Sequence, residues 1–175
     1  ISNVYLSERN CGVDARNYVQ RLGSDLIGEI HIAGFDIDPK FGFGPLLEDP
    51  DGIIALPSGF SYRIFSRAGE AMSDGLFVPA KHDGMATFPG PDGMTILVRN
   101  HEITPGAGPE QGAFGADLAL LGQVDSDLLY DPGDGRPPAL GGTTTMLYDT
   151  RNQRLVSHHL SLAGTLVNCA GGPTP

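Results

Sequence analysis

Glycine and proline are spread very unevenly along this chain, and that unevenness sets the strongest limit on what it can fold into. Residues 1–40 contain 4 glycines and 1 proline, whereas residues 41–175 contain 21 and 13. Proline removes a backbone donor and glycine carries a high entropic cost inside regular elements, so the second part cannot build long helices. It keeps strong apolar runs between its turns, such as "MTILVRN" and "RLVSHHLSL", and so is not simply disordered. The change of character falls within "GEIHIAGFDIDPKFGFGPLLEDPDG", residues 28–52. The expected division is a first unit over 1–40 and a β-rich domain over 41–175.

In the first unit, Val4 to Leu6 reads as a short strand. Asp14 is placed to cap a helix from Ala15 to Leu22, and Leu26 to Ala33 reads as a second strand. Strand, helix and strand with short links predict a parallel βαβ unit, which is not stable alone because it leaves sheet edges uncovered. In the second unit the elements are hairpins. "MATF", "PGPDG" and "MTILVRN" give strand, turn and strand, "TTTMLYD", "TRNQ" and "RLVSHHLSL" repeat the plan, and Tyr62 to Phe65 adds another strand. Such spacing predicts propeller blades or part of a sandwich. The stretch 104–140 is weakly patterned, and a loop of that length is either functional or lacks its surroundings.

Charge narrows the partners. Lys and Arg number 11 against 21 Asp and Glu, a net charge of −10. Nucleic acid and anionic membrane surfaces are poor partners for such a chain, and an anionic substrate needs bound cations to hold it. No apolar run approaches the roughly 18 residues of a membrane span. Cys11 and Cys169 lie in the two dissimilar parts, so both are expected to be free thiols or one of them a ligand. The chain opens within "NVYLS" and stops at "CAGGPTP", and both ends read as cut.

Several stretches carry candidate chemistry. Glu29 and His31 stand two apart on a predicted strand and share a face, an arrangement suited to iron or zinc or, alternatively, to a solvated strand end. Arg99-Asn100-His101-Glu102 closes an apolar strand before Pro105-Gly106. The oxygens of Asn100 and Glu102 suit calcium, and the other reading is a polar cluster that satisfies loop backbone. His82 and Asp83 form a neighbour pair more typical of turn chemistry. His158 and His159 are adjacent on a strand, point to opposite faces and cannot chelate one ion in regular geometry. Cys169 follows Asn168 into Ala170-Gly171-Gly172, where small residues would allow close approach to a metal or substrate; otherwise it is a buried structural cysteine.

Two resemblances bear on these stretches. "NVYLSERNCGVDARNYV" followed by "GEIHIAGF", residues 1 to about 38, resembles the C-terminal region of the multinuclear non-haem iron oxidative enzymes, a TIM-barrel family. That resemblance implies metal ligands at Glu29 and His31, with Phe35 standing where the family often has a second histidine. From about Phe43 to Pro175, "GFGPLLEDPDGIIALPSGFSYRIFSRAGEAMSDG", "VPAKHDGM", "ILVRNHE", "GGTTTMLYD" and "LSLAGTLVNCAGGPTP" resemble the PhoX-type alkaline phosphatases in order and spacing. This second resemblance implies a β-propeller, hydrolysis of phosphate monoesters at an iron–calcium cluster, and export to the periplasm or beyond. It further implies that Cys169 is the iron-bridging cysteine and that Asn100 and Glu102 lie near calcium.

The expectation is therefore a mainly β chain, a partial β-propeller preceded by a short βαβ remnant of a TIM barrel. The two parts would be joined between Asp36 and Gly44 as a fusion. Its function would be that of a fragment of an iron- and calcium-dependent phosphatase acting on small phosphate esters. It would be inactive as it stands, because further ligands of that family lie downstream of Pro175. The alternatives are a non-catalytic calcium-bearing propeller scaffold and a remnant of a non-haem iron oxidase.

Overall fold

The structure, a computed structural model, describes residues 4–5, 26–32 and 45–172, the first two stretches as backbone strands only. The chain is mainly β. Its strands are β1 (Val4–Tyr5), β2 (Leu26–Ile32), β3 (Leu46–Leu47), β4 (Leu56–Pro57), β5 (Phe60–Arg67), β6 (His82–Pro89), β7 (Thr95–His101), β8 (Gly141–Asp149) and β9 (Arg154–Thr165). Helix among the described residues is limited to short 3-10 turns, as the glycine and proline content requires. Among the described residues the strands form three open sheets with orders β1-β2-β5, β3-β4 and β6-β7-β8-β9, and each strand pairing is antiparallel.

Both expected hairpins form. The β6–β7 turn closes with Gly90 N–H donating to Met94 O at 2.9 Å, around Asp92 in the left-handed region (φ 52°). The β8–β9 turn is organised by Asp149. Its Oδ1 accepts from the backbone of Arg151 and Asn152, and its Oδ2 accepts from Asn152 Nδ2 at 2.8 Å. Asp49 plays the same part ahead of β4, accepting from Ile53 and Ile54 N–H and from the Tyr62 hydroxyl at 2.7 Å.

The first unit differs from expectation. β1 pairs antiparallel with β2, Val4 opposite Ile30 and Tyr5 opposite Glu29, and not in the parallel sense of a βαβ unit. β2 in turn pairs antiparallel with β5, with Glu29 opposite Arg63 and His31 opposite Ser61. The physical reason lies in the composition of β2. Glu29 and His31 alternate with Ile30 and Ile32, the pattern of a strand with one solvated face, whereas parallel strands buried on both faces are continuously apolar. The helix expected over Ala15–Leu22 and the join expected between Asp36 and Gly44 lie outside the described residues.

The four-stranded meander buries one face under β5 and under the long loop. Leu97, Met146 and Tyr148 pack with Phe65, Met85 and Leu155, the Phe65 and Tyr148 rings 4.6 Å apart. Beside them runs a buried polar chain. Arg99 Nε donates to Thr144 Oγ1 (3.0 Å) and Nη1 to Ser66 Oγ (3.0 Å), while His101 bonds Thr144 Oγ1 through Nε2 (2.9 Å) and Ala80 O through Nδ1 (3.0 Å). The donors fix the order. Thr144 accepts from Arg99, so its own proton goes to His101 Nε2, and His101 Nδ1–H donates to the Ala80 carbonyl.

The stretch 104–140 is a packed layer. Ala113 and Phe114 are buried with Met72, Leu76, Val78, Leu160 and Ala163, and Leu118, Leu121 and Leu129 close around them. Residues 68–80 and this layer also cover the outer edge of β9. His158 O accepts from Ser73 N–H, Leu160 N–H donates to Asp74 Oδ2 at 2.7 Å, and Tyr130 N–H donates to Ala163 O. An open edge that could pair with another chain is thereby blunted.

Thr144→Val keeps the shape but strips the shared hydroxyl, leaving a buried guanidinium donor and an imidazole nitrogen unmatched. Its urea midpoint should fall by the equivalent of about 3 kcal/mol with unchanged slope; an unchanged midpoint would show that the buried chain contributes nothing. A second expectation concerns acid. Burial, reinforced by the Arg99 charge, holds the pKa of His101 well below its ordinary value of 6.5. The hydrogen bond from Tyr62, with those from Ile54 and its neighbours, lowers Asp49 to about 2 from 3.8. Both groups are depressed in the fold, so the unfolded chain binds more protons and stability falls as pH falls. The loss should begin below pH 6.5 for His101 and run from 3.8 towards 2 for Asp49. Denaturation midpoints measured from pH 7 to 2 should decline in two stages, and Asp49→Asn should shrink the lower one, which Asp149, lowered by its Asn152 hydrogen bonds, shares.

Candidate functional site

The other face of the meander brings two of the sequence-selected residues, Asn100 and Cys169, together at one end. Along β7 the side chains alternate, with Leu97, Arg99 and His101 inward and Ile96, Val98 and Asn100 on the opposite face. Opposite Asn100 the edge strand β6 bulges. His82 pairs with His101 and Met85 with Arg99, so Asp83 and Gly84 together face the single residue Asn100. Asn100 Nδ2 donates to Gly84 O at 2.8 Å, which orients the amide and leaves Oδ1 as its accepting atom. On the outer side of the bulge Gly84 N–H donates to Cys169 O at 2.9 Å, and it also lies 2.8 Å from Asp83 Oδ1. The chain after β9 thus returns to the edge of β6.

These groups line one cleft of about 530 Å³, walled by Ala86, Phe88 and Val98 and ended by Asp83, Asn100, Thr143 and Cys169. Thr143 Oγ1 is hydrogen-bonded to Ser161 Oγ at 2.9 Å. Cys169 is a free, exposed thiol, in agreement with the expectation of an unpaired cysteine, and it is not a buried structural one. Val167, two residues before it, holds a left-handed backbone (φ 56°) while its N–H donates to Ile103 O at 3.1 Å. A β-branched residue in that region is strained and is held there by its surroundings.

Asn100 and Cys169, chosen from sequence, therefore meet in one cleft. Glu102 is half-buried just beyond β7, its N–H bonded to Lys81 O, and it is not part of the cleft wall. Glu29 and His31 belong to the sheet of β1, β2 and β5, and only their backbone is described. Asp83 is the residue that sequence reasoning undervalued. Read as turn chemistry, it stands at a bulge and is buried at 2% exposure. The signal was available: a polar pair followed by glycine inside a strand marks a bulge. Cys11 lies outside the described residues.

The family model of alkaline phosphatase PhoX matches residues 41–146, more than half of the chain. The chain belongs to the PhoX alkaline phosphatase family. The matched span contains Asp83, Asn100, Glu102 and Thr143, and Cys169 follows it. No curated protein and no solved structure matches.

PhoX enzymes are metal-dependent, so the donors of the cleft can be compared with what such ions require. A cysteine sulfur suits iron, while a carboxylate and an amide oxygen suit calcium. Asp83, Asn100 and Cys169 match that chemistry as part of a coordination shell. They do not complete one, since calcium takes roughly six to eight oxygens. Among the described residues no group of three or more His, Cys, Asp and Glu side chains is close enough to hold an ion. Also among the described residues, no helix is long and apolar enough to cross a membrane.

Proposed function

We propose that this PhoX-family chain supplies one wall of the metal site of a phosphatase that hydrolyses small phosphate monoesters with iron and calcium. The meeting of Cys169, Asn100 and Asp83 at the bulged end of the meander carries this reading. In it Cys169 is an iron ligand and not a nucleophile, and Asn100 Oδ1 is an oxygen donor to calcium. Asp83 adds negative charge beside them, and Glu102 reaches an ion only as an outlying donor. When bound, the ions would offset the charge of the phosphoryl oxygens and activate the attacking oxygen. The excess of acidic residues in a chain of net charge −10 fits a protein that collects cations before it meets an anionic substrate.

The meander itself fits a propeller blade. It has four antiparallel strands, and the face opposite the Leu97 core is also apolar, with Phe88, Ile96, Val98 and Leu147 half-buried. A sheet apolar on both faces needs a neighbour on each side, which stacked blades provide. Membership of this family supports a location outside the cytoplasm, in the periplasm or secreted.

Because the described donors fill only a share of each shell, the 175-residue chain by itself should bind iron and calcium weakly and turn over no phosphomonoester. Metal-dependent turnover by this chain alone would contradict that part of the proposal. In a polypeptide carrying a complete PhoX domain with these residues, phosphomonoesterase activity should vanish with chelator and return with iron and calcium together. Chelator-insensitive turnover would remove the metal role, and activity restored by calcium with no iron present would remove the role given to Cys169.

A further inference from the structure

We infer that Gly84 is a positioning residue for Cys169: the bulge in β6 is a backbone clamp that fixes where the thiol stands. This rests on the reading of Cys169 as a ligand for its purpose, though not for its geometry. A Cβ built on Gly84 would overlap the Cys169 carbonyl oxygen and lie 3.3 Å from Ala170 Cα. Both neighbours are backbone atoms, which cannot swing aside as the end of a flexible side chain can. Gly84 is thus required for close approach of two main chains.

The clamp has two further parts. Gly84 O is held by Asn100 Nδ2 at 2.8 Å, so the bulge is fixed from the inside by the same residue proposed as an oxygen donor. Val167, held in its strained conformation by Ile103 O, fixes the other end of the segment. Asn168 and Cys169 are therefore suspended between two backbone anchors, one on β6 and one just past β7. Any residue larger than glycine at position 84 must push the Cys169 segment off the sheet edge while leaving the side chains of the cleft chemically intact.

The test uses the 175-residue chain in a Cys11→Ser background with a nitroxide attached to Cys169, alongside metal-free, unlabelled protein for amide exchange. The Gly84 amide should exchange slowly although β6 is an edge strand. In Gly84→Ala the nitroxide line shape should change to that of a mobile label, and the amide at position 84 should exchange roughly five- to tenfold faster, the change one net hydrogen bond supplies. Thr87→Ala, an exposed residue of the same strand on the face away from the cleft, should leave both readouts unchanged. A Gly84 amide that exchanges as fast as an open edge, or an unaltered line shape in Gly84→Ala, would overturn the clamp. If Gly84→Ala does not fold, the label at Cys169 in the otherwise unsubstituted chain decides: an immobilised line shape supports the clamp and a mobile one overturns it. Cobalt(II) titration of an unlabelled polypeptide carrying a complete PhoX domain with these residues separates the two ideas. Loss of the cobalt–thiolate absorption in Gly84→Ala supports both the clamp and the ligand role. A mobile label in a protein whose unsubstituted form never shows that absorption supports the clamp and contradicts the ligand role of Cys169.

Discussion

The arrangement of the described domain depends on a buried arginine. Arg99 is fully enclosed, its charge is opposed by burial, which lowers its pKa to about 9, and its Nη2 has no hydrogen-bond partner among the described residues. Even so it stays protonated at neutral pH, so the fold must hold a cation inside. It does so with oxygens from two directions, Ser66 on β5 and Thr144 on β8, and with Glu70 as the carboxylate that offsets burial. Thr144 passes the connection to a neutral His101 and on to the Ala80 carbonyl. Four separate pieces of chain are thereby aligned to one register. An unmatched donor in such a place is expensive, so the register has little freedom to slip.

That register decides where the cleft can be. With Arg99 and His101 inward, Asn100 between them must face the other way. The bulge at Asp83 and Gly84 then falls opposite Asn100, and the open backbone of the edge strand is the surface on which the Cys169 segment lands. The cleft is therefore a consequence of the core: the side of β7 that stabilises the sheet and the side that carries the proposed chemistry are alternate residues of a single strand.

Much of this was legible in the sequence. The hairpins follow from turn residues between β-rich runs, and Asn100 and Cys169 stood out as polar groups at strand ends. The interior position of Arg99 did not, because "ILVRNHE" is apolar on both faces up to Arg99, and the partners that make burial tolerable lie 33 and 45 residues away. Proximity of Asn100 to Cys169 likewise depends on a return of the chain after β9 that no local pattern encodes. The parallel unit expected near the N terminus shows the opposite failure. A local motif, strand and helix and strand, was read without the strand that pairs with it, and β5 supplied that partner from the other part of the chain.

The central functional claim is that Cys169 binds iron in the cleft it shares with Asn100 and Asp83. X-ray absorption at the iron edge, on a metal-loaded polypeptide carrying a complete PhoX domain with these residues, tests it most directly. The account predicts a sulfur neighbour to iron that is lost in Cys169→Ser. An iron environment of oxygen and nitrogen alone in the unsubstituted protein would contradict it, as would a sulfur signal that survives the substitution.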